Sequence, residues 1–553
     1  MCTRHGLHIW AWRRVVRALV AALRGASLAM ASSVIRSSGI VGIWTLVSRL
    51  LGFSRDVLFA VIFGAGTHMD AFLVAFKIPN FMRRLFAEGA FAQSFVPVLS
   101  ATRESDSDEQ VQELLDVVAG TLGLILIGIT IIGIVLAPLL VYMFAPGFAQ
   151  TPDQFELTVD MLRITFPYLL FISLTAFAGG ILNTWRRFAV PAFTPVLLNI
   201  CLIVAATVLA GFFEQPVMAL ALGVFVAGVV QLLFQLPFLW RLRLLPRPRW
   251  GWGHAQVRRI LRLMLPILFG SSVAQISLLL DTLIASLLAH GSVSWLYYAD
   301  RLMEFPLGVF SIAIATVILP HLSARHAANS AAEFSAMLDW ALRMLLVIGL
   351  PAMLGLLLLA GPLVVTIFNY HSFGTHDTRM TELALMAYAF GFMGFSLVKV
   401  LVTGFFSRED SRTPVRCAVI ALAVAMAGNI VFVAAFVWLD WAAPHVGLAL
   451  GTSLGAFVNA GLLYHYLRRQ QVYHPGAQWR HVLWPVAVAN MVMSAILLVG
   501  VGDLSLWLER DVFARALWLL FWVVLGAGCY FAVLGVLGVR PRHFSLPDHE
   551  VVI

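Results

Sequence analysis

The sequence predicts an all-α polytopic membrane protein. About 14 transmembrane helices form two pseudo-symmetric six-helix lobes around a central cavity, and two extra helices follow at the C-terminal end. Three observations predict this. Of the 553 residues, 61% are hydrophobic and 12% charged, and a soluble protein carries about twice that charged fraction. The connections between apolar stretches alternate between arginine-rich and arginine-poor. Finally, an offset of 223 residues lays Pro97, Leu99, Ser100 and Ala101 on Pro320, Leu322, Ser323 and Ala324, and Ser173, Leu174 and Pro191 on Ser396, Leu397 and Pro414.

Taken in order, residues 1–30 are a basic N-terminal extension. Its apolar run is interrupted by arginine, so it fits neither a span nor a signal peptide, and Met30 is an alternative start. The first lobe, 31–242, holds spans at 33–62, 69–98, 116–145, 158–184, 190–212 and 217–240. The polar segment 101–116 reads as a surface helix. The stretch RLRLLPRPRWGWGHAQVRR then leads into the second lobe, 243–472, with spans at 261–289, 294–320, 337–368, 381–406, 415–438 and 445–467. Residues 473–540 supply spans at 482–502 and 514–538, and 541–553 form a tail. Basic stretches follow the fourth, sixth, tenth, twelfth and fourteenth spans. The loops after the third, fifth, seventh and eleventh lack Lys and Arg, Arg379 and Arg510 being minor exceptions after the ninth and thirteenth. By the positive-inside rule both termini are cytoplasmic.

That distribution also removes nucleic acid as the reason for the net charge of +9, because the cations sit in short topology-setting loops. The four cysteines, Cys2, Cys201, Cys417 and Cys529, are scattered without a CxxC pair, so no disulfide or metal framework is indicated. His321 and His326 fall in a loop, no HExxH occurs, and nothing suggests an enzyme or a cofactor.

The informative stretch is Ser48–Ser100, where two apolar segments carry Arg49, Arg55, Asp56, Asp70, Lys77, Arg83, Arg84 and Glu88. A charge at the bilayer centre costs about 2.5–3.5 kcal/mol on insertion scales, so most of these groups must face protein, water or a ligand. Arg49 and Asp56 are seven apart and share a helix face. Asp70, Lys77 and Arg84 repeat at seven, Glu88 follows Arg84 by four, and Pro79 bends that helix beside Asn80. In the eighth span, Ser294, Tyr297, Arg301 and Glu304 share one face with Asp300 about 100° around, and Pro306 and Gly308 permit a bend. Architectural ion pairs are the alternative for each charge taken singly, and Asp281 reads equally as a functional or a structural acid.

The strings SRLLGFSRD, GAGTHMDAFLVAFKIPNFMRRLFAEGAFAQSFVPVL and GSVSWLYYADRLMEFPLGVFSIAIATVILP closely resemble the lipid II flippase family (MurJ/MviN) of the multidrug/oligosaccharidyl-lipid/polysaccharide exporter superfamily. The likeness runs over about residues 31–540. It implies a protein of the bacterial cytoplasmic membrane that moves the undecaprenyl-diphosphate-linked peptidoglycan precursor to the outer leaflet. Lipid II is then the cargo, with membrane lipids and other cell-wall synthesis proteins as partners. The resemblance implies cavity roles for Arg49, Arg55, Asn80, Arg83, Ser294 and Arg301 toward substrate, and for Asp56, Asp70, Glu88, Asp300 and Glu304 as charge partners. Arginine suits a diphosphate because its guanidinium fork binds phosphate oxygens bidentately. Coupling to the membrane potential or to a monovalent ion stays open, as does another polyprenyl-linked oligosaccharide as cargo. A drug/cation antiporter of the same superfamily would want the acids without the arginines.

Overall fold

The computed structural model describes residues 39–84, 91–105, 107–476 and 478–539. Among these residues the regular structure is helical throughout. Helix α1 covers 39–63, and a left-handed turn at Gly64 leads into α2 (Thr67–Arg83). Then come α3 (Ala92–Ser105), α4 (Asp108–Val135), α5 (Ala137–Phe144), α6 (Pro152–Thr165), α7 (Tyr168–Thr184), α8 (Ala189–Val204) and α9 (Met218–Arg241). The starts follow local chemistry. Ser107 and Gln110 close a reciprocal capping box on α4, and Pro152 opens α6, where its missing N–H costs nothing. Helices α7, α8 and α9 pack together, with α2 and α6 against them.

The long α10 (Ala255–Ser286) leads into α11 (Ser292–Pro306), a π-helical turn at Leu307–Ser311, and α12 (Ile312–Ala327). Helices α13 (Ala331–Leu358), α14 (Ala360–Phe368), α15 (Thr375–Phe406), α16 (Arg412–Trp438) and α17 (Val446–Arg469) complete a second bundle around α15. The π turn sits where Pro306 and Gly308 were expected to bend the span. Gly447, Gly451 and Gly455, four apart on α17, bring α16 into backbone contact; a Cβ at Gly451 would collide with Asn429. Last come α18 (Trp479–Gly500), α19 (Leu504–Leu508) and α20 (Val512–Val536). Val482, Met493, Trp507 and Trp522 bury against Val347, Leu359 and Val365 of the second bundle. Cys201, Cys417 and Cys529 are free thiols.

Eleven of the described helices are long and apolar enough to cross a membrane. Their outer faces carry bare apolar side chains such as Ile131, Val499, Phe513 and Val536. Exposure on this scale is what a lipid-facing surface requires. The helix directions put the arginine-poor loops 64–66, 289–291 and 369–374 at one end and the arginine-rich loops at the other.

Candidate functional site

The two bundles touch through α2 and α11, through α10, and along an antiparallel seam between α1 and α11. On that seam Arg49 lies against Gly308, Phe53 against Phe305, and Asp56 against Tyr297 and Arg301. Between the bundles lies a cavity of about 640 Å³. Leu73 and Val293 line its arginine-poor part, and Arg84, Lys399 and Asn459 lie farther along their helices toward the arginine-rich end.

Its polar wall is a charge network built from both bundles. Asp56 is 2% exposed and sits behind the wall rather than on it. Its Oδ1 accepts from Arg55 Nε at 2.9 Å, Arg55 Nη2 at 2.6 Å and the Tyr297 hydroxyl at 2.8 Å. Its Oδ2 lies 3.6 Å from Arg301 Nε. Arg55 also donates to Asn199 Oδ1 at 3.0 Å, and Asn199 is itself held by donating to the Ser48 carbonyl. Arg301 donates to Glu304 at 2.6 Å and lies over the Tyr297 ring. Two guanidinium groups, one from each bundle, thus converge on one buried carboxylate. Such a cluster stays in low-dielectric surroundings only because nearly every charge has a partner.

Lys77 of α2, on the same wall, crosses to the second bundle and donates to Thr282 Oγ1 at 2.5 Å. Asp281, one residue before, accepts from Asn429 Nδ2 at 2.7 Å and lines the cavity with Asp300 and Tyr388. The glycine stripe of α17 lets α16 come close enough to α17 to place Asn429 there. Asn80 accepts both Arg83 donors, Nε at 2.9 Å and Nη2 at 2.8 Å, at the arginine-rich part of α2.

Arg55, Asn80, Arg83, Asp300, Arg301 and Glu304 therefore stand together on the cavity wall. Other candidates stand elsewhere. Arg49 shares the face of Asp56, but two turns along α1 it is exposed at the seam and off the wall. Asp70 and Ser294 are not on the wall either. They are 1% and 0% exposed and bond each other across the arginine-poor end, where the Asp70 carboxylate accepts from Gly291 N–H (2.7 Å), Ser294 N–H (2.8 Å) and Ser294 Oγ (2.5 Å). A carboxylate from one bundle thus caps the helix N-terminus of the other. Gly291 makes this possible: its φ of +96° starts α11, and a Cβ there would strike the Trp295 ring. Glu88 lies outside the described residues. Sequence reasoning missed Asn199, Asn429, Tyr388 and Lys399, isolated polar groups in apolar helices.

More contacts join the bundles at the same end. Tyr298 donates to the Gly64 carbonyl (3.1 Å), and Ser372 Oγ to the Ile62 carbonyl (2.9 Å). Within the second bundle, Trp295 Nε1 donates to Asp377 (2.9 Å), fixing α11 on α15. His445, just before α17, is fully buried beside Trp295 with Nε2 3.0 Å from the Met380 carbonyl. Burial, first of all, pushes its pKa down to about 4; the Met380 bond opposes this and His376 adds to it.

The sequence family described as lipid II flippase MurJ matches residues 59–515. The protein named "Probable lipid II flippase MurJ" of Vibrio cholerae is 45% identical over 516 residues, 92% of this chain and 96% of its own. The protein named "Lipid II flippase MurJ" of Burkholderia cenocepacia is 40% identical over 511 residues, 91% of this chain and 97% of its own. Among solved structures, a lipid II flippase MurJ in an inward closed conformation superimposes with a TM-score of 0.72 at 24% identity, covering 90% of this chain and 98% of that one. An inward-facing MATE family transporter of the MOP superfamily gives 0.60 at 16% identity, covering 77% and 94%. At these identities the structural likenesses speak for the fold alone.

Proposed function

The chain belongs to the lipid II flippase family MurJ, and from that membership we propose how its cavity carries the cargo. It moves lipid II, the undecaprenyl-diphosphate-linked peptidoglycan precursor, from the inner to the outer leaflet of the bacterial cytoplasmic membrane. The cargo's diphosphate needs cations in a chamber screened from water, and the observation carrying the reading is the convergence of Arg55 and Arg301 on Asp56. In the empty cavity Asp56 and Glu304 hold the two forks apart and oriented. An arriving diphosphate takes over those forks with bidentate bonds. The released carboxylates remain close enough to reclaim them, which lets the anion leave again. Asn80 and Arg83 extend the polar wall toward the sugars.

Alternating access follows from where the bundles are joined. The arginine-poor end faces the outside by the positive-inside rule, and the Asp70–Ser294 cap, with Tyr298 and Ser372, holds that end shut. Loading takes place from the cytoplasmic side. Breaking the cap while the cytoplasmic side closes exposes the head group outside. A potential negative inside favours that step by about 2.3 kcal/mol per net negative charge per 100 mV, so the reading takes the potential as the drive. The first lobe at 31–242 and the second at 243–472 rock against each other. The helices of 473–540, packed on α13 and α14, offer the polyprenyl tail an apolar path outside the polar chamber. The work is transport rather than bond chemistry, both termini stay in the cytoplasm, and cell-wall synthesis proteins consuming the flipped precursor are the implied partners.

The test is purified protein in liposomes with labelled precursor, scoring outer-leaflet exposure with and without an imposed potential. Arg55→Ala and Arg301→Ala are each expected to lose flipping by at least tenfold while the protein stays folded. Full activity in both would remove the phosphate-grip reading.

A further inference from the structure

Of the 37 lysine and arginine residues, only Lys77 and Lys399 are lysines, and both line the central cavity. Wherever a generic cation serves this chain, in loops, at helix ends or in surface pairs, it uses arginine. The lysines occur only where a substrate anion would pass, and their situations differ. Lys77 is spoken for by Thr282. Arg55, Arg83 and Arg301 are engaged by Asp56, Asn80 and Glu304, and Arg84 also has a partner. Lys399, on α15, is exposed into the cavity. Among the described residues it is the cavity-wall cation with no hydrogen bond or ion pair.

Resting on the diphosphate-cavity reading, we propose that Lys399 is the capture residue, the cation that first engages the incoming diphosphate before Arg55 and Arg301 grip it. An anion meeting a paired guanidinium must displace a carboxylate before it gains anything. One meeting a free ammonium gains at once. Lysine also suits transient contact: a point charge on a flexible four-carbon stem takes a phosphate oxygen from many directions, whereas an arginine fork must be in register and then holds on. Its place on α15 fits this order. Lys399 lies eleven residues beyond Tyr388 toward the arginine-rich end, on the bundle opposite Arg83 and Arg84. An anion entering from that end therefore passes between these groups before it reaches Asp56. The fixed anchor of this part of α15 is Ser396, whose Oγ accepts from Ser311 at 2.7 Å. The backbone under Lys399 is thus held, while its side chain bonds to none of the described residues.

The pair of lysines makes the test direct, since amine reagents have few other targets on the chain. The purified full-length protein is acetylated in detergent, and modification of Lys399 is followed by peptide mass spectrometry with inorganic pyrophosphate or farnesyl diphosphate present. Either probe is expected to slow Lys399 acetylation severalfold. Stronger protection by the prenyl compound would point to a lipid-linked head group as the natural source, equal protection to the diphosphate alone. In parallel, Lys399→Gln is expected to lower the association rate of farnesyl diphosphate about five- to tenfold and to flatten its salt dependence, with the dissociation rate nearly unchanged; Lys399→Arg should regain part of the loss. If wild-type protein binds the probe but Lys399 is neither protected nor kinetically important, the capture role is overturned and the arginine grip stands. If wild-type protein binds neither probe, both fall.

Discussion

Asp70→Asn should loosen the arginine-poor end, and the structure sets the size of the effect. One oxygen of Asp70 accepts from Ser294 N–H and Oγ, the other from Gly291 N–H. An asparagine keeps one carbonyl oxygen and turns an NH₂ toward the other donor, so one bond becomes a donor–donor contact. Bonds to a charged acceptor are worth about 1.5–3 kcal/mol and neutral ones about 1 kcal/mol, so losing one and weakening two costs about 3–5 kcal/mol. The neutral amide no longer suffers burial of a charge, and this returns part of that, leaving about 2–3 kcal/mol. At 1.4 kcal/mol per factor of ten, the open population rises about 30- to 140-fold. Ser292 is a suitable reporter: it is 1% exposed at the start of α11 and its hydroxyl has no hydrogen-bond partner among the described residues. A single cysteine there, with the four natural cysteines replaced, should react with a membrane-impermeant maleimide about 30- to 140-fold faster in the Asp70→Asn background. An unchanged rate would refute the view that this carboxylate joins the bundles.

Two further predictions concern stability. His445 is neutral in the folded protein with its pKa lowered to about 4, while in the unfolded chain it titrates near 6.5. Its contribution is therefore intact above pH 6.5 and is lost as pH falls toward 4, amounting to about 2 kcal/mol by pH 5. Thermal unfolding should show a steeper decline from pH 7.5 to 5 in the wild type than in His445→Gln; parallel curves would contradict it. Arg515 on α20 is 7% exposed and donates to the carbonyls of Trp507 (3.0 Å), Leu508 (2.8 Å) and Asn369 (3.1 Å). A lysine cannot span those directions from one nitrogen, so Arg515→Lys should lower stability by about 2–3 kcal/mol, and an unaltered melting temperature would count against that anchoring.

The helices were legible because bilayer length and apolar composition leave few alternatives. Charged positions were legible wherever helical spacing alone decides a face. Tyr297, Arg301 and Glu304, three and four apart, do share the cavity wall. The same rule sets Arg49 on the face of Asp56, where it stands, but a shared face does not decide which residues reach the cavity. Seven residues preserve the face but move about 10 Å along the axis, and there α1 meets the π turn at Gly308 instead of the cavity. Asp70 kept its register with Lys77, yet its partners are mainly backbone N–H groups of α11, which carry no side-chain signature. Spacing cannot name a partner that has no side chain.

Residues joined across the bundles are harder still, because Asn199 meets Arg55 over 144 positions and Asn429 meets Asp281 over 148. No local pattern spans such distances. For Lys399 a signal was present in another form. A chain that answers nearly every demand for positive charge with arginine reveals something where it does not, since the two side chains differ little in charge and greatly in grip. The departure from the chain's own habit marks positions where holding on too tightly is a cost, and in a carrier that must release what it captures, such positions belong on the path of the cargo.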